Sequence, residues 1–274
     1  MVDFNSAIEV FNNYKGSEKK KTLIYNKKRY LVKFPDPIIR ENTNLSFKNN
    51  AFSEYVGSNV FQLSGFNTQN TILGKYTYNG KEKIVCACED FTDDDNILYE
   101  FESLALSTNP DKKIETELTD IMEVIEESKM INSKETKDKF WDMFVIDSII
   151  GNTDRHNGNW GFILNKKTNQ VTFAPIYEDS QIENLTEQEL KNLAINCYSC
   201  IKVNGKKINY MSYINQMKDE MCNEAIKRVF EDIKIDKILA FIDEIDAIST
   251  VRKEFYKRLI KYRYDIIKKV YDKN

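Results

Sequence analysis

The chain has 274 residues, a formal net charge of −3, 41% hydrophobic residues and 12% aromatic residues. That length allows one large domain or two lobes around a sizeable core, and the apolar content excludes a disordered chain. The interspersed, nearly balanced charge gives no general argument for nucleic-acid binding, so no direct contact with nucleic acid is expected.

No apolar run approaches membrane-spanning length, and Met1-Val2-Asp3-Phe4-Asn5 shows no basic start leading into an apolar core. The expectation is a cytoplasmic chain without a membrane span. Five cysteines (Cys86, Cys88, Cys197, Cys200 and Cys222) make no disulfide framework and read as reduced thiols. The single histidine lies elsewhere in the chain's central loop, which counts against a zinc site built on Cys197 and Cys200.

The first ninety or so residues read as mostly strand with one helix. Tyr14-Lys15-Gly16-Ser17-Glu18-Lys19-Lys20-Lys21 is a basic turn ahead of the strand Thr22-Leu23-Ile24-Tyr25. Asn26-Lys27-Lys28 turns the chain into Arg29-Tyr30-Leu31-Val32-Lys33-Phe34-Pro35, a strand by its alternation, ended by Pro35 and Pro37. A helix over roughly 49–63 sets Glu54 among Phe52, Tyr55, Val56, Val60 and Phe61, able to face Lys33. Residues 83–91 form a short buried-type strand, and Asp93-Asp94-Asp95 reads as a solvated loop rather than a metal site.

From Leu98 onward the pattern is helical, with helices expected over 112–130, 140–150, 185–194, 223–248 and 249–273. A break is expected near Ile235-Asp236, and Val203-Asn204-Gly205-Lys206 is a turn by its Asn-Gly.

The informative stretch is Gly151-Asn152-Thr153-Asp154-Arg155-His156-Asn157-Gly158-Asn159, too rich in Gly and Asn for helix or strand. Two strand-like runs follow, Trp160-Gly161-Phe162-Ile163-Leu164 and Val171-Thr172-Phe173-Ala174-Pro175-Ile176-Tyr177. Paired as a hairpin, they bring Asn159 near Glu178 and Asp179. A base-like aspartate, an oxygen-donating asparagine and a second carboxylate are the parts that Mg²⁺-assisted phosphoryl transfer needs.

Asp154-Arg155-His156-Asn157-Gly158-Asn159, followed by Ala174-Pro175-Ile176-Tyr177-Glu178-Asp179, resembles the catalytic segment of HipA-type serine/threonine kinases. The Asp-Arg-His-x-x-Asn spelling is also similar to lipid kinases of the phosphatidylinositol kinase group. Either resemblance implies an α+β, two-lobed protein-kinase-like fold. A small β-rich lobe would span 1–95, and a larger, mostly helical lobe 96–274.

The HipA-type resemblance implies ATP and Mg²⁺ as cofactors and a protein substrate phosphorylated on Ser or Thr. On its pattern Asp154 accepts or orients the attacking hydroxyl, with His156 beside it as an acid or, the favoured role, a support of the loop. Asn159 with Glu178 or Asp179 would hold Mg²⁺. Lys33 would grip ATP phosphates, Glu54 would position Lys33, and Gly16-Ser17 would cover the phosphates. Position along the chain suggests Glu89, Asp90 and Phe91 for the adenine-binding hinge.

Two positions depart from the family pattern: Gly158 where a lysine is usual, and Glu178 where the metal aspartate is usual. The resemblance further implies autophosphorylation near the phosphate turn, with Ser17 the candidate, and opens the option of an antitoxin-like partner. That option is weakened because kinases of this type carry an extra N-terminal subdomain, whereas this chain starts close to its phosphate turn. The alternatives are a lipid or small-molecule kinase, or an ATP-binding pseudokinase acting as an interaction module.

Overall fold

The computed structural model describes residues 1–11, 20–35, 50–111, 115–177 and 187–273. Gly16, Ser17, Glu178 and Asp179 lie outside the described residues.

The first part of the chain builds a six-stranded sheet from β1 (Val2–Asp3), β2 (Ile8–Val10), β3 (Lys20–Tyr25), β4 (Lys28–Lys33), β5 (Thr71–Tyr78) and β6 (Lys81–Glu89). The strand order is β1-β5-β6-β4-β3-β2, and only the β1–β5 pair is parallel. Two tight hairpins set this register. Asn26-Lys27 and Asn79-Gly80 both take positive φ, the backbone that a two-residue turn between right-twisted strands requires.

Side chains alternate across this sheet. Leu23, Tyr30, Val32, Val85 and Ala87 form a core on one face with Phe4 and Phe34. On the other face, Cys86 and Cys88 pack against Ala51 of α1 (Asn50–Leu63). Lys33 pairs in register with Cys86, so the end of β4 lies beside these thiols.

The rest of the described chain is mainly helical. β7 (Asn96–Glu100) leads into α2 (Phe101–Thr108), α3 (Leu118–Glu127) and α4 (Ser133–Ile150). The hairpin β8 (Gly161–Asn165) and β9 (Val171–Phe173) joins β7 in a three-stranded sheet, and α5 (Glu187–Ile195) follows. A second hairpin, β10 (Tyr198–Val203) and β11 (Lys206–Asn209), precedes α6 (Tyr210–Gln216), α7 (Glu220–Asp232), α8 (Ile235–Asp243) and α9 (Thr250–Tyr271). The main core fills this lobe around α4, where Phe140, Trp141, Phe144, Val145, Ile146 and Ile149 are buried.

Three sequence expectations need correction. Residues 96–100 are strand rather than helix: β7 runs antiparallel to β8, and Gly161 leaves room for the Tyr99 carbonyl, which a Cβ would approach to 2.5 Å. The helix expected over 112–130 begins at Leu118 because the preceding backbone is engaged elsewhere. The Glu115 carbonyl accepts from Asn157 Nδ2, and the Thr116 carbonyl accepts from Lys202 N. The break expected near Ile235-Asp236 in the 223–248 stretch falls slightly earlier, at Ile233-Lys234.

Candidate active site

Helix α4 delivers the central loop. Asn132 caps its start, accepting a hydrogen bond from Glu135 N at 3.0 Å. Gly151 ends it with φ +81°, a left-handed turn that suits glycine. Beyond that turn, exposure follows function-like lines: Asn152, Arg155, Asn157 and Asn159 are buried, while Asp154 and His156 are exposed.

The buried members build the loop. Arg155 forks onto Asp147 of α4, Nε to Oδ2 and Nη2 to Oδ1, both at 3.0 Å. Asn152 Nδ2 adds a bond to Asp147 Oδ1 at 3.1 Å. Arg155 Nη1 also donates to the Asn159 carbonyl at 2.8 Å and to the Tyr177 carbonyl. One guanidinium therefore ties the end of the loop to the residue just before Glu178. Burial pushes the Asp147 carboxyl upward, and the Arg155 charge opposes that push.

The exposed members face outward. Asp154 N donates to Asn152 Oδ1 at 3.0 Å, and no donor reaches the Asp154 carboxylate among the described residues. Asn159 Nδ2 donates to the Asp154 carbonyl at 2.8 Å, which fixes the amide. Its Oδ1 then has no hydrogen-bond donor among the described residues, the disposition a hard cation would use. His156 Nδ1 accepts from Gly158 N at 3.1 Å, so the ring braces the loop's own turn.

The hairpin that follows has the register Phe162–Phe173, Ile163–Thr172 and Leu164–Val171. Trp160 anchors its start by stacking on Phe101, with ring centroids 4.2 Å apart. Across the lobes, Gln69 N donates to the Ile176 carbonyl and Ile176 N to the Asn67 carbonyl, so the segment after α1 is tied to the segment before Tyr177.

In the sheet lobe, Lys33 Nζ donates to Glu54 Oε2 at 3.0 Å, with both side chains 4% exposed. Cys88 Sγ lies 3.8 Å from Glu54 Oε1, and burial pushes the neighbouring Cys86 thiol well up, so it stays neutral beside the pair. Of the hinge residues, Glu89 is committed within the protein. Its N–H donates to the Asn70 carbonyl, its carbonyl accepts from Gln69 Nε2, and its carboxylate pairs with Lys28. Asp90 N donates to the Arg29 carbonyl. Phe91 keeps its backbone groups without a partner among the described residues, and its ring lies 6.0 Å from that of Tyr177.

The structure thus brings Lys33 to Glu54 and Asp154 to Asn159. It adds residues the sequence did not single out. Asp147 was detectable as a lone carboxylate inside the apolar run Phe144-Val145-Ile146-Asp147-Ser148-Ile149. Cys200 Sγ donates to the Thr153 carbonyl at 3.0 Å, burial keeping its thiol protonated, and Tyr210 Oη donates to the Asn152 carbonyl at 2.7 Å. Neither contact has a local sequence signal, since both come from the β10–β11 hairpin and α6 folding back onto the loop.

A sheet lobe holding a buried lysine–glutamate pair, set against a helical lobe that presents an aspartate and an asparagine on one loop, is a protein-kinase-like fold. The chain belongs to the HipA-like C-terminal domain family, whose match spans residues 14–250. It is 35% identical over 258 residues to the serine/threonine-protein kinase CtkA of Helicobacter pylori, covering 88% of this chain and 78% of that protein. The crystal structure of the H. pylori proinflammatory kinase CtkA superposes with a TM-score of 0.88 at 31% identity, over 100% of this chain and 98% of that one. HipA of Shewanella oneidensis MR-1, solved with HipB and operator DNA, superposes at a TM-score of 0.49 and 11% identity, over 94% of this chain and 66% of that one. Among the described residues, no helix is long and apolar enough to cross a membrane.

Proposed function

We propose that this chain is a serine/threonine protein kinase that transfers the γ-phosphoryl group of ATP to a hydroxyl of a protein substrate. Membership of the HipA-like family and the resemblance to CtkA support the activity class. The observation that carries the finer reading is the loop itself: an exposed Asp154 carboxylate beside an Asn159 oxygen, neither of which receives a hydrogen bond among the described residues.

Phosphoryl transfer asks the protein for alignment and for neutralisation of phosphate charge, with little covalent work. Asp154 orients the attacking Ser or Thr hydroxyl and accepts its proton. Lys33 holds the non-transferred phosphates, and Glu54 sets the position of Lys33. Asn159 Oδ1, with Glu178 or Asp179, would hold Mg²⁺, which when bound neutralises charge on the phosphate oxygens. Gly16 and Ser17 would cover the phosphates, and Ser17 is the candidate autophosphorylation site. His156 keeps the loop in shape. The adenine edge meets the hinge through Phe91, because Glu89's own groups are spent within the protein. The division at 95/96 places β7 with the large lobe, in keeping with its pairing to β8.

The test is incubation of the purified chain with labelled ATP and Mg²⁺, beside Asp154→Ala. Label is expected on the chain itself or on a generic protein, and is expected to vanish in the mutant while ATP binding persists. Mass spectrometry of the incubated chain is expected to find phosphate on Ser17. Equal transfer by the mutant removes Asp154 from the mechanism. Binding of ATP by the unmutated chain without any transfer to protein points instead to a lipid or small-molecule kinase or a pseudokinase.

A further inference from the structure

Helix α9 starts at Thr250, where the family match ends, yet it reaches both halves of the site. The Tyr256 hydroxyl lies 3.3 Å from Ser53 Oγ, next to Glu54 on α1. Two turns further on, Arg263 occupies the inward stripe between Leu259 and Ile267 and is fully buried. Its Nη1 donates to the Ile150 carbonyl at 2.8 Å and its Nη2 approaches the Leu193 carbonyl at 3.4 Å. These carbonyls lie in the last turns of α4 and α5, so one cation caps the negative ends of two helices.

The site is unusual for a guanidinium. Among the described residues no carboxylate pairs with Arg263, and its Nε has no hydrogen-bond partner. Burial alone drives its pKa down, with the Cys197 and Tyr210 groups opposing. A cation stripped of water and counter-ion is costly, so its contacts must matter to the fold or to the site. Those contacts fall where the central loop begins. At Gly151 an added Cβ would sit 1.9 Å from Arg263 Nη1, so the first loop residue packs directly on the guanidinium.

We propose that Arg263 is a positioning residue for the catalytic loop. By fixing the exit of α4 it sets where Asp154 points, and α9 serves as the brace that carries it. Its kinetic consequence rests on the kinase reading; its structural consequence does not.

The experiment compares the full chain with Arg263→Met by amide hydrogen exchange and by steady-state phosphate transfer. Exchange at residues 151–159 is expected to rise about tenfold or more while the six-stranded sheet keeps its protection. The kcat is expected to fall about ten- to hundredfold, the scale of a small misplacement at the reacting centre, with KM for ATP nearly unchanged because the Lys33–Glu54 pair is held separately. Arg263→Lys, whose single nitrogen cannot serve both carbonyls, is expected to lie between the two, and it takes over the same readouts if Arg263→Met does not fold. Unchanged loop exchange overturns the proposal, as does a uniform rise across the chain with kcat and KM moving together. Exchange reads the loop whether or not phosphate is transferred. A chain that transfers no phosphate would therefore refute the kinase reading and leave this one to be decided by the loop.

Discussion

Two ion pairs are almost completely buried among the described residues, one in each lobe, and they are built differently. Lys33 meets Glu54 through an ammonium contact at 3.0 Å, with the Cys88 thiol near the other carboxylate oxygen. Arg155 meets Asp147 through two parallel bonds and adds the carbonyls of Asn159 and Tyr177. An ammonium is a point charge on a flexible stem that can share itself with an arriving phosphate, whereas a planar guanidinium with its donors committed is a fixture. Burial alone therefore does not say what a charge is for. The geometry and rigidity of the group that carries it do.

The largest effect expected from breaking this comparison is in Arg155→Leu. Removing one partner of a buried pair leaves Asp147 uncompensated, at a cost of about 3–5 kcal/mol. Against a typical total stability of about 5–15 kcal/mol, the urea midpoint should drop sharply. A midpoint equal to that of the unmutated chain would show that the fork holds nothing.

Lys33→Met should divide the two properties. Transfer is expected to fall about hundredfold or more, the scale for removing a preorganised charge from developing phosphate charge. The urea midpoint should move less than in Arg155→Leu. The double change Lys33→Met with Glu54→Leu should be inactive, yet as stable as the unmutated chain or more so, since packed apolar groups often replace a buried pair without loss. If Lys33→Met unfolds the chain as far as Arg155→Leu does, the contrast between the pairs collapses.

The smallest effect sharpens the baseline. Asn132→Ala removes the α4 cap far from the loop and should cost about 1 kcal/mol in a denaturation curve, with kcat unaltered. A fall in kcat there would mean that strain anywhere along α4 reaches the loop, and that Arg155 is less local than its contacts indicate.

Much of this site could be read from sequence because its signals are local. The Gly- and Asn-rich stretch 151–159 cannot continue a helix, and the two strand runs after it pair as a hairpin, although the second strand ends at Phe173 rather than Tyr177. Lys33 ends an alternating strand and Glu54 stands among apolar helix positions, which left them able to meet; that they pair was implied by the HipA-type resemblance, not by either periodicity. The missed features are tertiary. Asp147 gains its meaning from Arg155, eight residues on, and Arg263 from carbonyls 113 and 70 residues earlier. β7 is a strand because β8 lies beside it, although its own residues run straight into a helix.

The alternation of buried and exposed positions within the central loop has a consequence for how variation acts on this protein. Asn152, Arg155 and Asn157 are spent on architecture, whereas the Asp154 side chain stands clear of it. Substitutions at the first set remove the molecule, lowering how much folded chain a cell contains. On the role proposed for Asp154, substitutions there would instead leave a full complement of folded molecules that still bind what the unmutated chain binds. Within nine residues, inheritance can thus produce either an absent protein or a silent competitor, and the two would behave as recessive and dominant forms of the same loss.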